Sequence, residues 1–267
     1  MFFELPLRSA AEEVVRVYPK ISADLERIFG WGLGLQPSVL LIRNREDFQS
    51  MTESASIVAF AVPSRKLIVI DYSRMNIPPF TIENILKHEL CHLLLHHHIR
   101  GTILPRWLDE GVCQWASDGI GEIIMDQKHS VLNKAALRGT FIPLDLLNRG
   151  FPRDKDSMIL AYEESKSFIT HIISKFGKEG ILEVLENMKT GKEVDVAFSM
   201  ALSMPLGRLE EEWHHALRQR TTWFIYLSYH LYEVLFALLA LITIYAFIRT
   251  IIKKRNYGTE EGEDVGV

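Results

Sequence analysis

The sequence predicts an α+β fold, a small N-terminal mixed sheet followed by a mainly helical half, with one C-terminal transmembrane helix after it. Three observations carry this. Short β-branched runs fall between residues 38 and 72, nearly every periodic stretch after residue 80 repeats at helical spacing, and residues 234–248 carry no charge. The 267 residues are 48% hydrophobic and 24% charged, which is globular composition and excludes a disordered chain or a collagen-like repeat. Two cysteines, Cys91 and Cys113, are too few for a disulfide scaffold. Thirty Lys plus Arg against thirty-four Asp plus Glu leave a net charge of −4, so there is no basic excess and no nucleic-acid partner is expected.

Residues 9–29 place apolar side chains at helical spacing around Pro19 and run into GWGLGLQP, which predicts a helical hairpin or a kinked helix. SVLLIRN (38–44), IVAFAV (57–62) and KLIVIDY (66–72) are the expected strands, with Pro63 and Ser64 forming a hairpin-like turn between the last two. KLIVIDYS admits two readings, a sheet edge that receives an extended peptide or an ordinary covered strand. After PPF (78–80), where Pro favours a helix start, TIENILKHELCHLLLHHH is apolar at Ile82, Ile85, Leu86, Leu90, Leu93 and Leu94, a helix with one buried face. Periodic stretches at 105–117, 130–138, 157–175, 179–188, 192–202 and 206–220 complete one compact domain over residues 1–220.

From Leu231 to Ile252 a helix would be about 33 Å long, against a hydrocarbon core of about 30 Å. Trp223, Tyr226, Tyr229 and Tyr232 crowd one end and Arg249, Lys253, Lys254 and Arg255 the other, so residues 223–252 read as a membrane helix with an interfacial lead-in and 253–267 as a polar tail. The basic residues favour a C-terminus in the cytoplasm and the large domain on the extracytoplasmic side of the cell membrane, in a single-pass arrangement. MFFELPLRSAAEE shows no signal-peptide pattern, which keeps open a tail-anchored arrangement with the domain in the cytoplasm.

His88, Glu89 and His92 form HELCH, an HExxH pattern within a segment already read as helical. Positions four apart share one helix face, so both imidazoles reach one zinc ion while Glu89, one step around, reaches its water. A catalytic zinc wants a third protein ligand and one open position. Glu110 stands eighteen residues past His92 in PRWLDEGVCQWAS, in the early turns of a helix that Pro105 can start, and a return helix would bring its carboxylate to the open side.

HExxH with a Glu at this spacing inside a WLDEG stretch is similar to the gluzincin metallopeptidases, and most closely to the peptidase MA-like domain group of membrane-anchored bacterial proteins. AYEESKSFITHIISKFG (161–177) resembles that group's Y-x-x-S-x-S-F segment, and KEVDVAFSMALSMPLGRLEEEWHHAL (192–217) its closing helices, so the likeness covers roughly residues 35–255. It implies a zincin-like fold and a membrane-anchored peptidase using one zinc ion on peptide or protein substrates. His88, His92 and Glu110 would be ligands and Glu89 the general base. Tyr162, which opens the family-like helix, would stabilise the oxyanion. Asp109, beside Glu110, would orient a ligand imidazole, or else cap a turn or face solvent.

Other readings compete. His98 sits where the metzincin pattern HExxHxxGxxH has its third ligand, but Leu95 replaces the glycine that turns that chain, so His96, His97 and His98 read as a polar helix end, with His96 as a possible secondary metal ligand. Cys91 and Cys113 read as small buried hydrophobes. A structural zinc would need a fourth ligand from His96 or Cys113. A catalytically silent, membrane-anchored binding module on the same fold is the main alternative, and the intact Glu89 argues against it.

Overall fold

Strand β1 (Phe2–Phe3), helix α1 (Arg8–Phe29), β2 (Ser38–Ile42), α2 (Arg45–Ser50), β3 (Ala59–Val62) and β4 (Leu67–Asp71) build the N-terminal half in the computed structural model. The structure describes residues 1–52, 56–75, 77, 80–117 and 131–260, and the side chains of these apart from 5, 221–230, 234 and 251–260. The sheet is mixed and ordered β1-β2-β4-β3. β2 runs parallel to β4, pairing Ser38 with Leu67 through Ile42 with Asp71, while β3 returns antiparallel, pairing Ala59 with Ile70 and Val62 with Leu67. Pro63–Arg65 make the turn and Lys66 closes it at φ 51°. KLIVIDYS is therefore the covered strand of its two readings, and β3 is the edge on that side.

Two elements escape sequence patterning. β1 pairs only Phe2 with Leu40 and Phe3 with Leu41, too short to show a period. α2 is one and a half turns long, capped by the Asn44 side chain accepting from the Glu46 N–H at 2.9 Å, and buries only Phe48. α1 is one helix with Pro19 inside it, ended by Gly30 in the left-handed region at φ 69°. The Pro78–Pro79 segment and the tail beyond residue 260 lie outside the described residues.

The helical half comprises α3 (Ile82–His98), α4 (Arg106–Ala116), α5 (Val131–Arg138), α6 (Lys155–Lys189), α7 (Val194–Leu202) and α8 (Leu206–Glu260). Thr81 caps α3 by accepting the Asn84 N–H at 3.2 Å. The expectation of one buried face is corrected here. Leu90, Cys91, Leu93, Leu94 and Leu95 are all buried along with Ile82, Ile85 and Leu86, because α1, α4 and β3 all pack against α3. Gly177, at φ 75° and ψ 171°, interrupts α6 between the stretches read separately as 157–175 and 179–188.

α4 lies against α6, and Gly111 marks the closest approach. A Cβ there would stand 2.5 Å from the Ser165 carbonyl oxygen and 2.6 Å from Ile169 Cγ1. Trp107 on the same helix packs its ring 5.4 Å from Phe168 and 5.9 Å from Phe198. Backbone cannot yield as a flexible side chain does, so Gly111→Ala is expected to cost about 1–3 kcal/mol. A lower urea midpoint at unchanged m-value checks this. An unchanged midpoint would mean that the two helices separate at little expense.

The chain divides into two compact units, Met1–Leu217 and Arg218–Val267. Within the second, Leu231–Thr250 is twenty residues long with a mean hydropathy of 2.3 and none of it buried, so it is long and apolar enough to cross a membrane. The Thr243 and Thr250 hydroxyls donate to the Leu239 and Ala246 carbonyls at 2.8 Å, which satisfies both without water. The Trp223, Tyr226 and Tyr229 side chains and the basic residues from Lys253 lie outside the described side chains.

Candidate metal centre

α3 and α4 meet at three side chains from the two sequence motifs. His88, His92 and Glu110 are all buried, and their nearest donor atoms lie within 4.8 Å of one another. The two imidazoles face each other through Nε2 at 3.1 Å, and Glu110 Oε2 stands 3.5 Å from His88 Nε2 and 3.7 Å from His92 Nε2. The expectation that a return helix brings Glu110 to HELCH is realised by α4.

The outward nitrogen of each ring is held. His92 Nδ1 donates to Asp109 Oδ1 at 2.8 Å, and Asp109 Oδ2 accepts from His96 Nε2 at 3.0 Å. Ser117 Oγ donates to the Cys113 carbonyl at 2.7 Å, so toward His88 Nδ1, at 3.3 Å, it acts as acceptor. These contacts leave the Nε2 atoms of both rings facing each other and Glu110, the nitrogens that a metal ion would take. On the far side of Glu110, Arg106 Nη2 stands 2.5 Å from Oε1. Asp109 was expected from its position beside Glu110; Arg106 and Ser117 were not. Arg106 is legible in hindsight as the i−4 neighbour of Glu110 on one helix face, whereas Ser117 reaches His88 only through the packing of α4 on α3.

The electrostatics point the same way. Burial lowers the His92 imidazole, but the charges of Asp109, Glu110 and Glu89 outweigh it and raise the group well above its ordinary value. Burial would raise Asp109, yet the charge and hydrogen bond of His92 and the contact with His96 hold it far below the usual carboxylate range. Glu110 is likewise lowered against its burial, first by Arg106 and then by His92 and His88. Three buried carboxylates around two imidazoles favour a cation among them. The donor set fits one: a tetrahedral ion with bonds of about 2.0–2.1 Å separates its donors by about 3.3–3.4 Å, close to the spacings found.

The remaining candidates fall outside this triad. α3 continues unbroken through His98, whose Nε2 donates to the Gly32 carbonyl at 2.8 Å, so the metzincin position serves the loop after α1. Cys113 Sγ lies 3.4 Å from His92 Nδ1, on the side turned from Glu110, and with Asp109 it forms a second group of donors. Cys91 and Cys113 are free and buried, and burial, with Cys91 beside it, pushes the Cys113 thiol up. Glu89 is fully buried next to His88. Tyr162 is buried beside Met158 and Ile159, its ring edge-on to Phe151 at 4.8 Å, and Arg106 lies over the same Phe151 ring at 6.0 Å.

No curated protein matches the chain. A sequence profile of the peptidase MA superfamily matches residues 49–219, which take in α3, α4 and the helices through the start of α8, more than half of the sequence. With that match and a metallopeptidase-like arrangement of an HExxH helix and a glutamate-bearing return helix, the chain belongs to the peptidase MA superfamily.

Proposed function

We propose that the protein is a membrane-anchored zinc peptidase that hydrolyses peptide bonds of proteins or peptides near the membrane surface. The observation that carries this reading is the convergence of three metal-ligating atoms, His88 Nε2, His92 Nε2 and Glu110 Oε2, inside a buried carboxylate-rich pocket. A zinc ion held there would acidify water toward pH 7 and polarise the substrate carbonyl. Glu89 takes the proton of the attacking water and delivers it to the leaving amine. Asp109 and Ser117 keep the two imidazoles in the tautomer that a metal needs. Tyr162 donates its hydroxyl to the developing oxyanion, a role supported by its place one ring away from Arg106.

β3 is an edge strand of the sheet and contacts α3, which gives an extended substrate a strand to pair with. Leu231–Thr250 is the anchor in this reading. The cations at 249 and 253–255 outnumber Arg218 and Arg220 and support a cytoplasmic C-terminus with the catalytic domain outside.

Metal analysis of the purified chain in detergent tests the site. One zinc per chain is expected in the wild type and a loss of at least about tenfold in affinity in Glu110→Ala. Stoichiometric zinc with unchanged affinity in Glu110→Ala would remove Glu110 from the donor set and overturn the reading.

A further inference from the structure

The two oxygens of Glu110 are not equivalent. Oε2 faces both imidazole nitrogens, whereas Oε1 is taken by the Arg106 guanidinium at 2.5 Å. Arg106 opens α4 four residues before Glu110, so the pair closes over one helical turn and needs no distant element. The guanidinium also lies 4.0 Å from Asp109 Oδ2 and over the Phe151 ring at 6.0 Å, contacts that limit where it can swing. Glu110 is fully buried and Arg106 is 38% exposed, so the guanidinium sits between the buried carboxylate and solvent.

We propose that Arg106 is a positioning residue that confines Glu110 to a single donor oxygen and so keeps one position of the metal open. The inference rests on the metal-binding reading above. A carboxylate beside a divalent ion can bind it through one oxygen or through both. A second Glu110 oxygen on the ion would raise its coordination number and occupy the position that a catalytic site leaves for water. With Oε1 in an ion pair with the permanently charged Arg106 guanidinium, Oε2 is the oxygen left to face the ion. Arg106 needs no contact with substrate for this and acts wholly through Glu110.

Cobalt(II) reports coordination number through its visible absorption, which is strong at four-coordinate and weak at five- or six-coordinate sites, and cobalt is the probe used here on the full chain in detergent. Wild type is expected to give the strong bands. R106Q and R106M, which lack the charge but keep much of the side-chain stem, are expected to bind cobalt with visible molar absorbance about two- to fivefold lower. R106K, with a cation at the same place, is expected to recover most of it. Spectra of R106Q and R106M that superimpose on wild type would overturn the proposal while leaving the three-donor site intact. A wild-type chain that takes up no cobalt and no zinc would instead overturn the metal-binding reading, and this inference with it. A purely structural role for Arg106 predicts a lower melting temperature with unchanged bands, which also counts against the proposal.

Discussion

Glu89→Gln is expected to lower kcat/KM on a peptide substrate by about 10²–10⁴ while zinc stays at one per chain. The two halves of that outcome follow from different observations. Glu89 is not among the three atoms that converge, so its loss as a charge leaves the donors His88, His92 and Glu110 in place. It is buried without exposure on α3, and Gln matches its volume, so the helix repacks little. In the proposed mechanism, what disappears is the group that accepts the proton of the attacking water, worth about 3 to 5 kcal/mol of transition-state stabilisation at that rate loss. Initial rates with a quenched fluorescent peptide, run beside metal analysis on the same preparation, separate the two effects. Equal rates in wild type and variant would remove Glu89 from the chemistry, and lost zinc would show that its charge holds the ion.

Glu164 carries the second large effect, on stability rather than rate. It is fully buried on α6, with Oε1 accepting the Ile142 N–H at 3.1 Å and Oε2 lacking a hydrogen-bond partner among the described residues. Burial, with the charge of Glu210 adding to it, pushes its carboxyl up from 4.5 to about 8. The folded chain therefore keeps the proton up to about pH 8 while the unfolded chain releases it near pH 4.5, so this group's contribution is full below pH 4.5 and is lost as pH rises through 8. At about 1.36 kcal/mol per unit, the loss approaches about 3–5 kcal/mol at pH 9. Gln mimics the protonated side chain at every pH. Glu164→Gln should thus match wild type near pH 4.5 and exceed it increasingly up to pH 9 in urea titrations, other titrating groups cancelling between the two chains. A difference that stays flat with pH would show that Glu164 is ionised in the fold.

The triad was legible because its geometry is local. HELCH places two imidazoles one turn apart whatever surrounds the helix, and a proline-started return helix is the shortest way to bring Glu110 back. Asp109 was reachable by adjacency, and the strands and most helices by their periods. What patterning missed depends on partners chosen by the fold. Ser117 meets His88 only after α4 has docked, and Glu164 becomes an isolated carboxyl only because Ile142 and Glu210 are brought over it. α3 showed a single apolar stripe in sequence, yet Cys91 and Leu95 lie off that stripe and are buried, since burial on several sides leaves no polar face to contrast. KLIVIDYS lies inside the sheet because β2 pairs with it in parallel across the α2 crossover, a long-range choice that its own composition does not encode.

Helix α4 carries Glu110, and from Arg106 to its C-cap Ser117 it supplies the groups that contact Glu110, His92 and His88. A cation seated between α3 and α4 would act as a rivet, since the unfolded chain offers no such convergence. By mass action its free concentration would then set the strength of the joint, adding about 4 kcal/mol at a thousand times the dissociation constant. The same helix is pinned to α6 at Gly111, so slackening the rivet by chelation would first be felt along the α4–α6 seam. Durability and activity would answer to a single variable, the supply of metal in the compartment where the domain resides.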